Sequence, residues 1–370
     1  MKRKITYIYL VLFLSGFNLF AQDPQFSQFY AAPLMVNPAM TGAFSGNYRF
    51  TGIYRSQWSS ILQTNASDRK GTPAFRTYSA SVDFRTSKGF LAKDAFGFGL
   101  VFMADKAGAV DFGTVGVLGS VSYFKSLNYH ATQFISLGFQ GGVWQRSLNT
   151  AKLNFGSQYD GIGYNPNLPT DPSLYQAFDD KFLMYDFNFG LLWYMKIKNS
   201  GSNAYLGFSM HHLTRSNESF YRSTNGTNAK VPFKIIGHGG MKIAVSDLLS
   251  VGPKFILVFQ GKQWQTNLGT DVKINFFYGE HESDGFSLGV LYRLAGGDKE
   301  ALWKDRTINS ESLIMNAKVD YKNLQIGAAY DINVGHDKIA SRSKGAWEIF
   351  VSLQGVVNKK KNKTLFCPHW

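Results

Sequence analysis

Alternation with period two runs through most of this chain. It is clearest in Leu183–Lys196, LMYDFNFGLLWYMK, where Tyr185, Phe187, Phe189, Leu191 and Trp193 share one parity and Asp186, Asn188 and Gly190 begin the other. Successive side chains of a strand point to opposite faces, so this is a strand with one apolar face and one polar or small face. So many rings on one side suit a strand that faces lipid, with aromatic residues near the two interfaces. The same reading predicts strands at Tyr48–Trp58, Phe75–Thr86, Ala95–Ala104, Gly113–Leu127, Thr132–Ser147, Lys181–Ile197 and Ala204–Leu213. It continues with Val231–Val245, Ser250–Gln260, Thr266–Tyr278, Gly285–Leu294, Ser310–Tyr321, Leu324–Val334 and Gly345–Val357. Each is long enough for the roughly 9–11 residues that a tilted strand needs to cross a bilayer.

The connections sort by parity. The even ones are short: Ser87–Asp94, Asn128–Ala131, Lys198–Asn203, Ser246–Leu249, Glu280–Asp284 and Lys322–Asn323. The odd ones include every long one: Ser59–Ala74, Leu148–Asp180, Thr214–Lys230, Ala295–Asn309 and Gly335–Lys344. A sandwich has no reason to sort its loops this way, whereas outer-membrane barrels have short periplasmic turns and long outer loops. The expected fold is therefore all-β: a transmembrane antiparallel β-barrel of about 14 strands with both termini periplasmic.

The ends divide further. Residues 1–21 read as a signal peptide, with Lys2–Lys4, an apolar run Ile5–Leu14 and Ala21 as the last residue before cleavage. Residues 22–46 have Pro24, Pro33 and Pro38 and no alternation, and are expected to be a periplasmic segment and a candidate plug. Residues 47–357 form the barrel, and 358–370 a Lys-rich periplasmic tail. Later in the chain no stretch has the ~20 unbroken apolar residues of a spanning helix.

Composition narrows the chemistry. Charged residues are 17% of the chain, below the roughly 25% of soluble domains, which favours the membrane reading. The formal charge of +14 is carried in part by Lys2–Lys4 and by Lys359, Lys360, Lys361 and Lys363 at the two ends. With no basic helix or recognisable module, nucleic acid is not an expected partner. The lone Cys367 has no intrachain partner and no zinc-site company. It reads as a free thiol, with a mixed disulfide to a partner left open by the oxidising compartment.

No G-x-S-x-G, H-E-x-x-H or phosphate loop is present, so neither catalytic residues nor a cofactor or metal is expected. His211 and His212, adjacent on a predicted strand, should face opposite sides. Asp160, Asp171, Asp179 and Asp180 share the longest loop without the spacing of a calcium loop and read as solvated acids. The inward rows carry Arg76, Asp83, Arg85, Asp186, Asp271, Lys273, Arg293, Lys318, Asp320, Asp331 and Glu348. Charges of both signs in a lumen pair and fill space, or line a polar cavity.

One stretch is distinctive. Asp23, Pro24, Gln25, Phe26, Ser27, Gln28, Phe29 and Tyr30, then Ala32-Pro33-Leu34, Asn37-Pro38-Ala39 and Thr41-Gly42, closely resemble the start of mature PorP/SprF proteins of the type IX secretion and gliding systems. Tyr54-Arg55-Ser56-Gln57-Trp58 is similar to the first strand of that family, with its Arg-x-x-Trp step. Cys367-Pro368 resembles the family ending, although His369-Trp370 replaces the more familiar Arg-Phe type of close. The resemblance implies a non-enzymatic outer-membrane barrel that supports secretion and cell-surface anchoring of a partner, such as a gliding adhesin with a C-terminal sorting domain. It implies periplasmic secretion components and outer-membrane lipid as further partners. It marks Asp23, Pro24, Phe26, Ser27, Gln28, Phe29, Tyr30, Pro33, Asn37, Pro38, Gly42, Arg55, Trp58, Cys367 and Pro368 as partner-binding candidates. The alternative expectation is a passive channel or small-solute transporter.

Overall fold

A computed structural model describes residues 23–59, 74–86, 94–108, 110–153, 155–165, 167–169, 179–197, 200–220, 229–276, 284–296, 309–335 and 337–355. The expected signal peptide, the Lys-rich tail, Cys367 and Pro368 lie outside them. Among the described residues the strands are β1 (Tyr48–Gln57), β2 (Phe75–Arg85), β3 (Ala95–Ala107), β4 (Phe112–Ser126), β5 (Gln133–Ser147), β6 (Lys181–Lys196) and β7 (Asn203–His211). They continue as β8 (Lys234–Ala244), β9 (Leu249–Gln260), β10 (Gln263–Asn275), β11 (Gly285–Gly296), β12 (Asn309–Tyr321), β13 (Leu324–Asn333) and β14 (Lys344–Gly355). Each pairs antiparallel with its neighbours in sequence, and β14 pairs with β1 from Tyr48↔Gly355 to Gln57↔Ala346. The sheet is a closed barrel with no open edge.

Closure explains the alternation. In hydrocarbon every backbone N–H and C=O must find a protein partner, which a closed ladder supplies. One face of each strand is then left to lipid. Phe98, Leu100 and Phe102 of β3, and Ile349, Val351 and Leu353 of β14, are each between 41% and 50% exposed. Their neighbours Val101 and Met103, and Glu348, Phe350 and Ser352, are buried in the interior. Two expectations need correction. Arg76 is exposed, because the inward parity of β2 is that of Thr77, Ser79, Asp83 and Arg85. The strand expected at Thr266–Tyr278 begins earlier, at Gln263, because Gly261 (φ +59°) closes a two-residue connection after β9.

The even connections lie at one end, which also holds the first residue of β1 and the last of β14. The last residues of β1, β5, β7, β11 and β13, which the long connections follow in sequence, lie at the other. Leu100→Arg, half-way along the lipid face of β3, is expected to cost about 2–4 kcal/mol. Denaturant titration of folding into lipid vesicles measures it; a loss below about 1 kcal/mol would contradict a midplane position.

Candidate functional site

Residues 23–46 lie inside the barrel. They enter at the long-connection end, cross the lumen and leave at the short-connection end, where the Asn47 N–H bonds Gly355 O and β1 begins. Three prolines keep the segment out of the ladder. A short 3-10 turn, Phe29–Ala31, leads to a helical turn at Pro33–Val36, and a second 3-10 turn follows at Pro38–Met40. Prolines start two of these turns, where the missing N–H is not needed. The side chain of Asn37 accepts from the Ala39 N–H and caps the last one.

Asp23 stands at the long-connection mouth. Its N–H bonds Gln260 Oε1 (3.0 Å), and its carboxylate takes His212 Nε2 (2.7 Å) and Lys234 Nζ (3.3 Å). His212 also bonds Asp186 through Nδ1 (3.0 Å). His211 and His212 do not face opposite sides, as expected from alternation. His212 has φ +62°, which breaks the period and turns its ring inward beside His211. Burial opposes charge on both Asp23 and His212. The charges of His212 and Lys234 overcome it and hold the Asp23 carboxyl well below its usual range. The Asp23 charge and the bonds to Asp186 and Asp23 push His212 up to about 10.

Deeper in, Ser27 sits within a buried ionic cluster. Its hydroxyl donates to Asp331 Oδ2 (2.7 Å) and accepts from Arg55 Nη1 (2.7 Å) and Arg293 Nη2 (2.5 Å). Arg55 bridges Glu348 (2.5 Å) and Asp331 (3.2 Å), and Arg293 reaches Asp331 (3.0 Å). Glu348 accepts the N–H groups of Ser27 (2.6 Å) and Gln28 (2.8 Å). Two guanidiniums from β1 and β11 thus meet two carboxylates from β13 and β14, and the plug backbone completes the set. Around it Phe26, Phe29 and Tyr30 pack on Ile53, Ile236, Ile256, Leu291, Ile314 and Phe350, from strands on several sides of the lumen.

The Asn37-Pro38-Ala39 step lies directly on the wall. Asn37 Nδ2 donates to Leu191 O (2.8 Å) and lies 3.0 Å from His238 Nε2. Gly138 and Gly190 face each other across β5 and β6. A Cβ on Gly138 would meet Ala39 N at 2.2 Å, and one on Gly190 would meet Asn37 Oδ1 at 1.9 Å. Only glycine permits this approach. Further down, Gly42 (φ +76°) donates to Asp83 Oδ2 (2.7 Å), which also takes Arg49 (2.7 Å). Trp58 is not part of this arrangement. It lies past the end of β1, against Phe75 at the rim, while Arg55 is in the lumen.

The sequence reading assembled the plug motif but not its partners. Glu348, Asp331 and Arg293 were legible only as inward charges. Arg49 shares the parity of Thr51, Ile53 and Arg55, a signal that could have found it. Nothing in the local pattern marked Lys234 or Gln260 as partners of Asp23.

The class these features define is an outer-membrane β-barrel occupied by its own N-terminal segment. Residues 18–353 match the type IX secretion system membrane protein PorP/SprF family, and the chain belongs to it. No curated protein matches. Among solved structures, the Ralstonia pickettii toluene transporter TbuX is 11% identical with TM-score 0.47, over 87% of this chain and 92% of that one. The Pseudomonas putida toluene transporter TodX is 10% identical with TM-score 0.44, over 87% and 92%. BamA from Haemophilus ducreyi lacking POTRA domains 1–3 is 9% identical with TM-score 0.42, over 84% and 71%.

Arg55→Ala leaves Asp331 and Glu348 with less countercharge in a buried site and is expected to cost about 3–5 kcal/mol. Denaturant titration in vesicles is the measurement, and a cost under about 1 kcal/mol would show the cluster to be solvated. A second expectation concerns pH. The Asp23 contribution is present above about 3.8 and is lost as pH falls through the lower folded value. The His212 contribution is complete below 6.5 and declines as pH rises toward about 10. A dye on Pro24→Cys, in a Cys367→Ser background, should therefore show highest anisotropy between those limits. His212→Ala should remove the alkaline decline; an alkaline limb unchanged in that variant would exclude the assignment.

Proposed function

We propose that this barrel is a non-enzymatic component of type IX secretion that supports export and holds a partner polypeptide at the cell surface. The observation that carries the reading is the occupied lumen. A segment tied at three levels, by Asp23, by Ser27 and by Asn37, belongs to a scaffold more than to an open pore. Membership of a secretion-system family supports the same direction.

In the proposed orientation the short connections face the periplasm and the long ones face outward. The ends of the barrel wall, and the Lys-rich tail after it, are then periplasmic and available to secretion components. Asp23 is not on that side. The segment expected to be periplasmic crosses the lumen and presents its first described residue at the long-connection mouth, the outer one in this orientation. The partner surface comprises this mouth and the long connections around it. The partner proposed is a secreted adhesin-type protein engaged through its C-terminal sorting domain. Affinity would come from many polar and aromatic contacts on a preformed surface, not from bond chemistry.

Deleting the gene alone should remove the adhesin from the cell surface, as read by surface labelling with an adhesin antibody. Unchanged surface adhesin with reduced uptake of a small solute would overturn the proposal in favour of the transporter reading. In planar bilayers the full chain should show no steady conductance, and removal of residues 23–42 should open one. A steady conductance of the full chain would favour the passive channel.

A further inference from the structure

The wall has a seam. β6 runs 16 residues, yet β7 pairs only with its second half, from Phe189↔Met210 to Lys196↔Asn203. Along the first half of β6 that side faces residues that have left the sheet path, with φ +62° at His212 and +47° at Arg215. They are tied to β6 by the Leu213 N–H on Phe187 O (3.0 Å) and by the hydroxyls of Thr214 (2.7 Å) and Ser216 (2.5 Å) on Tyr185 O. The His212 N–H adds a bond to Asn188 Oδ1 (3.0 Å). Here the barrel is held by scattered bonds, three of the four involving side chains, in place of a ladder.

Behind the seam is a recess open to solvent at the long-connection mouth, where Asp23, His212 and Lys234 line it. Its apolar lining includes Met35, Met103, Leu118, Trp144 and Met184. Tyr185 lines it too, although its row faces lipid and it is 65% exposed. The recess therefore reaches the outward face of the wall at the seam. Three methionines and an indole form a soft lining that adapts to a flexible apolar chain. The charges at the rim are already matched: His212 lies between Asp23 and Asp186, and Lys234 lies on Asp23. Asp186 Oδ2 also takes the Trp144 indole N–H (3.3 Å), while its buried Oδ1 has no hydrogen-bond partner. Arg146, paired with Glu218, lines the recess too, and its buried Nε–H has no hydrogen-bond partner. With the charges paired, the recess offers one acceptor and one donor, which suits a neutral hydroxyl head group.

We propose that this recess binds a neutral, hydroxyl-headed, single-chain amphiphile that enters from the membrane through the seam between β6 and β7. The acyl chain lies along the methionines and Trp144, and a head-group O–H donates to Asp186 Oδ1. This site adjoins the mouth proposed as the partner surface, but its test reads amphiphile binding with no partner present, so either reading can fail alone.

The test uses the full-length barrel in phosphatidylcholine vesicles and a monoacylglycerol brominated at mid-chain, whose bromines quench nearby indoles. Quenching should be saturable, and its saturable part should vanish in Trp144→Phe. Leu118→Phe and Met103→Phe, which fill the recess from two sides, should each weaken it about tenfold, a shift of roughly 1.4 kcal/mol. Two filling variants are used so that one that misfolds leaves the other to decide. The matching brominated fatty acid, as its carboxylate, should compete poorly. Thr214→Val with Ser216→Ala should speed the onset of quenching. Quenching that is linear in probe and equal in Trp144→Phe would reflect lipid-facing tryptophans alone and would overturn the site. Saturable quenching with an unchanged onset rate in the seam variant would overturn the route. Equal affinity for the carboxylate would overturn the head-group assignment.

Discussion

A polypeptide that crosses lipid must satisfy its backbone hydrogen bonds within itself, and here a closed ladder of antiparallel strands does so. Closure sets the rest. It makes one parity of every strand apolar, because that parity meets hydrocarbon. It also creates an interior that must be filled with something other than the wall. The small and polar residues of the inward rows are complementary to a particular occupant, the chain's own residues 23–46.

That occupant could not be placed by hydrophobic contact alone. Phe26, Phe29 and Tyr30 supply burial, but aromatic clusters tolerate sliding. The buried charges do not. Ser27 meets Arg55, Arg293, Asp331 and Glu348 in a set where loss of any member strands another in low dielectric. Gly138 and Gly190 add a steric register, since the Asn37-Pro38-Ala39 backbone fits only where no Cβ projects. Together they specify where the segment stops along the axis, and therefore which residues it shows at each mouth.

The consequence for function is positional. The wall starts and ends at the short-connection end, while the plug reaches the other mouth with Asp23. One molecule thus places described segments of its own at both ends of the barrel. The ladder is interrupted beside the Asp23 mouth, along the first half of β6, where the recess reaches the outward face of the wall. The proposed partner surface and the proposed amphiphile site adjoin at that mouth, since Asp23, His212 and Lys234 line the recess.

Alternation, strand lengths and the parity of the connections determined the barrel and its fourteen strands from sequence alone, because a period of two is a local property of backbone geometry. That residues 22–46 are not a strand was legible for a related reason, since Pro24, Pro33 and Pro38 exclude them from any ladder; that the described part fills the lumen was not. Partnerships were not legible. Ser27 and Glu348 are 321 residues apart, and Asp23 and His212 are 189 apart. Such pairs exist only after the sheet closes on itself. His212 shows the limit most clearly, since a single positive φ reversed the side to which alternation had assigned it. Periodicity reports which face a residue takes on a regular strand, and only the closed tertiary structure decided where the strand stops being regular.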